Sequence, residues 1–202
     1  MGSRERRSRE KQSLRQEILD AARQLFLENG YDNVSMRQIA EKIEYSPTTI
    51  YLYFKDKHEL FHGICQETFQ KLESELAAIA KEHTDPVRCM RLGAEAYIRF
   101  GLRYPHHYQV VFAATHTHKH DYPIPRPGEA GDRSFRYLLD TISEGVLQGK
   151  FRDSDPMVLS QTVWTAMHGV TSLLISKKDF PWVDSDVLIE SVVEMIIRGI
   201  SA

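Results

Sequence analysis

Apolar residues recur three and four positions apart along most of this chain, a spacing that predicts helices and not strands. Ile18, Ala22, Leu25 and Phe26 share one face of a first helix, about Leu14 to Asn29, stopped by Gly30. Ser35 opens a second, with Gln38 three residues on as a capping box and Met36, Ile39, Ala40 and Ile43 turned inward. Glu44 and Tyr45 form a turn. Ser46 then caps a third helix that begins with Pro47, where a missing N–H costs nothing. Asp56 and Glu59 start a fourth near Lys57, which runs through Phe61, Cys65, Leu72, Leu76 and Ile79 and is long enough to connect two parts. Asp85 and Pro86 open a fifth helix to about Arg103, and Pro105 restarts a short sixth through Tyr108 to Phe112. Ala114 to Asp132, with three prolines and two glycines, reads as one long loop. Helices from about Arg133 to Gln148, Asp155 to Ser176 and Ser185 to Ser201 complete an all-α chain of about nine helices.

The third helix is too short to stand alone, since an isolated helix needs roughly 12 to 15 residues to be even marginal. At about 100° per residue, Ile50 and Phe54 fall on one side, the natural plug into Ile39, Ile43, Ile18, Leu25 and Phe26. Leu52 then points roughly 160 to 200° away, flanked by Thr48 and Thr49, with Tyr51 and Tyr53 about 100° to either side. Small hydroxyls and one apolar side chain suit base edges in a DNA major groove, where leucine can meet a thymine methyl. The tyrosines can reach phosphates on both walls, Ser46 presents a helix N-terminus, and Lys57 adds a point charge. Two helices joined by a tight turn form a helix-turn-helix. The competing reading packs Tyr51, Leu52 and Tyr53 against the fourth helix or a partner protein.

Charge sharpens this picture. The formal charge is −2, but residues 1–57 hold 11 Lys or Arg against 9 Asp or Glu, leaving 15 against 19 in the remainder. Before position 16, Arg4, Arg6, Arg7, Arg9, Lys11 and Arg15 face only Glu5 and Glu10. Such a run is commonly a solvated, mobile arm and gains meaning when a nucleic-acid reader follows it. At 42% hydrophobic and 27% charged, the 202 residues have the composition of a globular protein. No apolar run approaches the roughly 18 to 20 residues that span a bilayer, and no apolar signal core is present, so the expected location is the cytoplasm. Cys65 and Cys89 are too few for a disulfide framework and fit buried, reduced positions.

Residues 33–61, NVSMRQIAEKIEYSPTTIYLYFKDKHELF, resemble the DNA-binding segment of the TetR family of bacterial transcriptional regulators. The likeness begins near Gln12, with RQEILDAARQLFLENGYDNVS similar to that family's first helix and turn, and runs to about Leu72. It rests on Ala21, Ala22, Phe26, Gly30, Tyr31, Ile39, Ala40, Tyr51, Tyr53, Phe54 and Lys57. One departure is the turn, which in the family often has glycine followed by valine and here has Glu44 and Tyr45. The charge pattern marks a basic, mobile arm over 1–11, and the resemblance implies a helix-turn-helix DNA-binding domain over 12–72 and a C-terminal regulatory and dimerisation domain over 73–202. It implies Ser35, Arg37, Ser46, Thr48, Thr49, Tyr51, Tyr53 and Lys57 as DNA-contact candidates, to which the helix geometry adds Leu52. It also implies a repressor that binds a palindromic double-stranded DNA operator as a homodimer, through the last two helices, and is released by a small molecule.

The C-terminal pattern supports dimerisation independently. Leu188, Ile189, Val192, Val193, Met195, Ile196, Ile197 and Ile200 cover a wider arc of the last helix than a one-sided surface helix needs. The eighth helix carries Thr165, Gly169, Thr171 and Ser172, which permit close helix approach; a buried interior helix is the competing reading. VWTAMHGV, residues 163–170, resembles the Trp-His-Gly signature of one C-terminal subtype of the family. Trp164 and His168, stacked at i and i+4, are either a packed pair or the wall of a site for a small apolar or aromatic ligand. Met167 and the aromatics Tyr97, Phe100, Tyr104, Tyr108 and Phe112 are the further lining candidates.

Other chemistry is thinly signalled. HTHKH, residues 116–120, sets His116, His118 and His120 at alternate positions, with His106 and His107 upstream, but apart from Asp121 it lacks acidic or thiolate partners at a recognised spacing. A solvated loop is the favoured reading, and no metal or cofactor is assigned. No nucleophile elbow, phosphate-binding glycine loop or paired-cysteine motif appears, so no enzymatic activity is expected. A helix-turn-helix used only for docking proteins, and a metal-responsive regulator, are the alternative functions.

Overall fold

The computed structural model describes residues 3–112 and 126–202. Helices occupy α1 (Ser3–Asn29), α2 (Met36–Lys42), α3 (Pro47–Tyr51), α4 (Lys57–Glu82), α5 (Pro86–Arg103), α6 (Pro105–Phe112), α7 (Ala130–Leu147), α8 (Pro156–Ser176) and α9 (Ser185–Ile200). The fold is all-α, and the caps predicted from sequence form. Ser35 and Gln38 make a reciprocal capping box, while Ser46, Asp85 and Asp155 accept from backbone N–H groups in the first turns of their helices. Two boundaries differ from the apolar pattern. α1 reaches back to Ser3, so the basic segment before Leu14 is helical, and α7 begins at Ala130 instead of Arg133. The predicted histidine-rich loop, His116 to His120, lies outside the described residues.

The described chain divides into two compact units. One holds α1 to α3, α4 as far as Thr68, and α6 from His106; the other holds α4 from Phe69, α5, and α7 to α9. The division falls inside α4, as does the predicted domain boundary at 72, but α6 clusters with the first unit.

In the first unit Ile18, Ala22, Phe26, Ile39, Ala40, Ile50, Phe54 and Phe61 are buried, while Leu25 and Ile43 are half-buried. Phe26, Tyr31 and Phe61 pack as a ring trio with centroids 5.1 to 6.1 Å apart. Arg23 bridges Asp20 at 2.8 Å and Glu67 at 2.9 Å, tying α1 to α4. Burial of Ile50 and Phe54 contributes roughly 1.5–3 kcal/mol each, which is what holds the five-residue α3 in helical form.

The second unit packs α5, α7, α8 and α9 together. Gly93 lets Tyr137 lie against α5 and donate to the Cys89 carbonyl at 3.1 Å. Cys65 and Cys89 are buried thiols outside any disulfide, and burial pushes the Cys89 thiol above its ordinary value. A two-residue bridge, Phe151 to Ser201, ties the end of α9 to the turn after α7, and Phe151 seats its ring against Gly145. Among the described residues no helix is long and apolar enough to cross a membrane.

Candidate nucleic-acid interface

α2 ends in a Schellman-type cap that sets the angle of α3. The Tyr45 N–H donates to Ala40 O at 3.0 Å and the Glu44 N–H to Glu41 O at 3.2 Å, with Glu44 at φ 60°. Glu44 is the one non-glycine residue at positive φ among those described. The turn therefore takes the geometry that glycine would give it, on a residue that adopts it at some cost.

α3 is anchored by Ile50 and Phe54 and presents the opposite side. Leu52 is 75% exposed and Tyr51 53%, Thr48 is exposed, and Tyr53 and Thr49 are half-buried. Thr49 is less outward than its position on the wheel predicts, because its hydroxyl lies 2.9 Å from Ser46 Oγ, which also accepts from its N–H. Ser35 is similarly engaged with Gln38. Arg37 is exposed and pairs with Glu41 at 2.9 Å, a side-chain pair that an anion can exchange at small cost.

Lys57 has a position that sequence alone does not show. Its ammonium donates to Tyr31 O at 2.8 Å and Asp32 O at 3.3 Å and sits 4.3 Å from the Tyr31 ring centroid. It thereby closes the α1–α2 turn against the start of α4, so part of its value is to the fold of the unit. Arg15, also unassigned from sequence, lies 5.0 Å over the Phe54 ring. Its only sequence signal is its place in the basic run.

Of the eight predicted ligand residues, Tyr108 and Phe112 belong to the first unit and Tyr97, Phe100, Tyr104, Trp164, Met167 and His168 to the second. In the second unit Trp164 Nε1 donates to Tyr97 Oη at 3.1 Å, and that hydroxyl lies 3.4 Å from His168 Nδ1. Ser172 Oγ is 3.3 Å from His168 Nε2, and Phe135 meets Trp164 edge-on. A neutral imidazole with Nδ1 accepting from Tyr97 and Nε2–H donating to Ser172 satisfies this chain. Burial holds the His168 pKa below its ordinary value, which favours that neutral form. Tyr97, Phe100 and Met167 are buried, and Phe100 packs on Tyr104 at 5.3 Å. Tyr108 and Phe112 pack on each other at 4.6 Å within the first unit.

A groove of about 420 Å³ between α5 and α9 contains none of these eight residues. Charged side chains line it, with Arg91 bonded to Glu194 at 2.6 Å and Arg99 to Asp186 at 2.7 Å. The Arg91 guanidinium, then that of Arg198, hold the Glu194 carboxyl below its usual range. Among the described residues no group of three His, Cys, Asp or Glu side chains is placed to hold a metal ion.

Residues 18–64 match the family profile described as bacterial regulatory proteins, tetR family. Residues 90–198 match that described as tetracyclin repressor-like, C-terminal domain. The fatty acid metabolism regulator protein of Bacillus subtilis is 23% identical over 187 residues, 91% of this chain and 94% of that protein. An HTH-type transcriptional regulator of Staphylococcus aureus is 28% identical over 88 residues, 44% of this chain, so that this chain spans only about half (48%) of that relative's length. The crystal structure of the Bacillus subtilis transcriptional regulator FadR in complex with stearoyl-CoA superposes with a TM-score of 0.75 at 20% identity, covering 92% of this chain and 98% of that one. The chain belongs to the TetR family of bacterial transcriptional regulators and is a DNA-binding regulator of transcription, not an enzyme.

Proposed function

We propose that this chain is a cytoplasmic repressor that binds a near-palindromic operator as a homodimer and lets go when a small apolar ligand enters its C-terminal unit. The observation that carries the DNA-reading part is Leu52, 75% exposed on a helix whose opposite side is held by buried Ile50 and Phe54. An exposed threonine and leucine side by side suit base edges, the hydroxyl bonding base atoms and the leucine meeting a thymine methyl. Thr48 and Leu52 are the base readers, with Ser35, Arg37, Ser46, Thr49, Tyr51, Tyr53 and Lys57 aligned along phosphates.

Dimerisation through α8 and α9 is supported by what those helices leave uncovered. On α8, Thr165 is exposed, Leu173 is 46% exposed, and a Cβ added at Gly169 meets nothing within 4 Å. Met195 on α9 is 61% exposed, and Gly199 is likewise open. Two-fold symmetry of the protein then dictates two-fold symmetry of the operator.

The ligand site lies around Trp164, Met167 and His168 with Tyr97, Phe100 and Tyr104, and Trp164, His168 and Gly169 form the Trp-His-Gly subtype signature. The Bacillus relative named for fatty acid metabolism, and the FadR structure with stearoyl-CoA, favour a long-chain acyl group as the apolar ligand. Ligand release works only if the ligand binds the DNA-competent and DNA-incompetent states unequally.

The test is binding to duplexes selected from a random-sequence pool. Thr48→Ala and Leu52→Ala should relax the preference at particular base pairs, while Tyr53→Phe should weaken all sequences alike, because base contacts discriminate and phosphate contacts do not. Equal losses on every sequence from all three changes would contradict the assignment. Long-chain acyl thioesters should shift Trp164 fluorescence and lower operator affinity, and Trp164→Ala should blunt both effects; undiminished release in that variant places the ligand elsewhere.

A further inference from the structure

We propose that Arg91 and Arg99 are positioning residues for assembly: their bonds to α9 select the one register of that helix on α5 that presents Met195 and Gly199 to a second copy. The proposal rests on the dimer reading given above and names what sets the geometry of its face.

α5 and α9 run antiparallel, because Arg91 bonds Glu194 at 2.6 Å and Arg99, two turns later on α5, bonds Asp186, two turns earlier on α9, at 2.7 Å. The two bonds are rungs about 12 Å apart, at roughly 1.5 Å of rise per residue. Between them Glu95 on α5 and Glu190 on α9 line the same groove and make a middle rung of like charge. Both arginine side chains are 41% exposed, so each rung taken alone is a weak tie.

Apolar packing by itself leaves the register open. α9 buries Ile189, Val193, Ile196, Ile197 and Ile200. Slid by one turn toward its C-terminal end, it would bring Ser185, Ile189, Val192, Val193 and Ile196 to the same places, all but the first apolar. Charge does not tolerate that slip. Arg91 would meet Glu190, but Arg99 would lose its α9 partner and Glu95 would face Asp186. Slid the other way, Arg91 would meet Arg198 and Glu95 would meet Glu194, with only Arg99 against Glu190 in favour. Of the three registers, the observed one alone has more attractive rungs than repulsive ones. Either slip would carry Met195 and Gly199 about 6 Å along the axis. It would also part the end of α9 from the Phe151 turn, where the Arg152 N–H donates to Ile200 O at 2.8 Å and the Ala202 N–H to Lys150 O at 3.2 Å.

The experiment follows assembly by sedimentation against concentration, and amide hydrogen exchange at Arg152 and Ala202, in wild type and three variants, with circular dichroism to confirm helical content. Glu194→Lys turns the first rung repulsive, so the slipped register with Arg91 against Glu190 becomes the better one. A dimer needs two correctly registered copies, so a correct fraction of about one third in each weakens assembly by about tenfold. Exchange at both amides should quicken with it. Adding Arg91→Glu to Glu194→Lys rebuilds the rung with its charges exchanged and should return both readouts to wild type. Glu190→Lys makes the middle rung attractive and penalises both slips, so exchange at the two amides should slow. A Glu194→Lys protein that assembles and exchanges as wild type does overturns the proposal. So does a charge-exchanged pair that stays weakened, since Glu194 would then act at the interface itself. A wild type that stays monomeric at every concentration removes the dimer reading, while exchange in the variants still shows whether the rungs hold α9 in register.

Discussion

At the scale of single residues, Glu44 concentrates the tension between fold and sequence. A non-glycine residue at φ 60° costs roughly 1–2 kcal/mol, of which glycine recovers all but about 0.4–1 kcal/mol lost to its freer unfolded chain. Glu44→Gly should therefore stabilise the protein by about 0.5 kcal/mol, seen as a rise of one or two degrees in Tm, with operator specificity intact; a fall would mean the Glu44 side chain holds the turn in another way. His168 makes a second prediction. Its pKa is held down by burial, so the unfolded chain takes up a proton before the folded one does as pH falls. Its contribution to stability is full above the ordinary histidine value and is lost as pH drops through that value toward the lowered one. Chemical denaturation at pH 7.5 and pH 5.5, chosen to straddle about 6.5, should show a larger loss for wild type than for His168→Gln, and equal losses would refute it. At this scale the split between Ile50 and Phe54 inside and Leu52 outside was legible, because helical period alone decides it. The partner of Lys57 was not, since two carbonyls from a turn about 25 residues away carry no pattern of their own.

At the scale of elements, caps and prolines located most helix starts, while α1 escaped because its first residues have no apolar face to count. They are Arg, Glu, Ser, Lys and Gln without Gly or Pro, and good intrinsic propensity carries the helix back to Ser3. The Phe151–Ser201 bridge also has no signature, being a single pair of residues outside any strand. Its importance is in packing: Phe151 is 1% exposed, and its ring occupies the space that a side chain on Gly145 would need. Gly145→Ala gains up to about 1 kcal/mol of helix propensity but forces the ring out of its seat. Overpacking costs about 1–3 kcal/mol and losing the seat of a buried phenylalanine more. The expected outcome is a net loss of about 2 kcal/mol in denaturant unfolding, with a loosened C-terminus in hydrogen exchange at Arg152 and Ala202, whose N–H groups bond across the bridge. A stability equal to wild type would show that the ring has another place to go.

At the scale of the whole molecule, the sequence foresaw the all-α architecture and the chain order of the described helices, but it did not show that α6, with Tyr108 and Phe112, clusters with the first unit while the other aromatic candidates belong to the second. Periodicity tells which residues leave the solvent and not which of them meet. The same limit makes Gly169 instructive. From sequence it signals close helix approach, yet among the described residues no atom outside α8 stands within 4 Å of a Cβ placed there. If a second copy of α8 or α9 uses that opening, Gly169→Arg should block assembly while leaving the protomer sound, because the added Cβ meets open space among the described residues and arginine favours helix over glycine by roughly 0.8–1 kcal/mol. Sedimentation should then give a monomer with unchanged helical content. Its operator affinity should fall by about 100-fold or more, since the second reading head no longer binds at the high effective concentration its tethered partner provides. A Gly169→Arg protein that remains dimeric and holds the operator as wild type does would remove α8 from the interface.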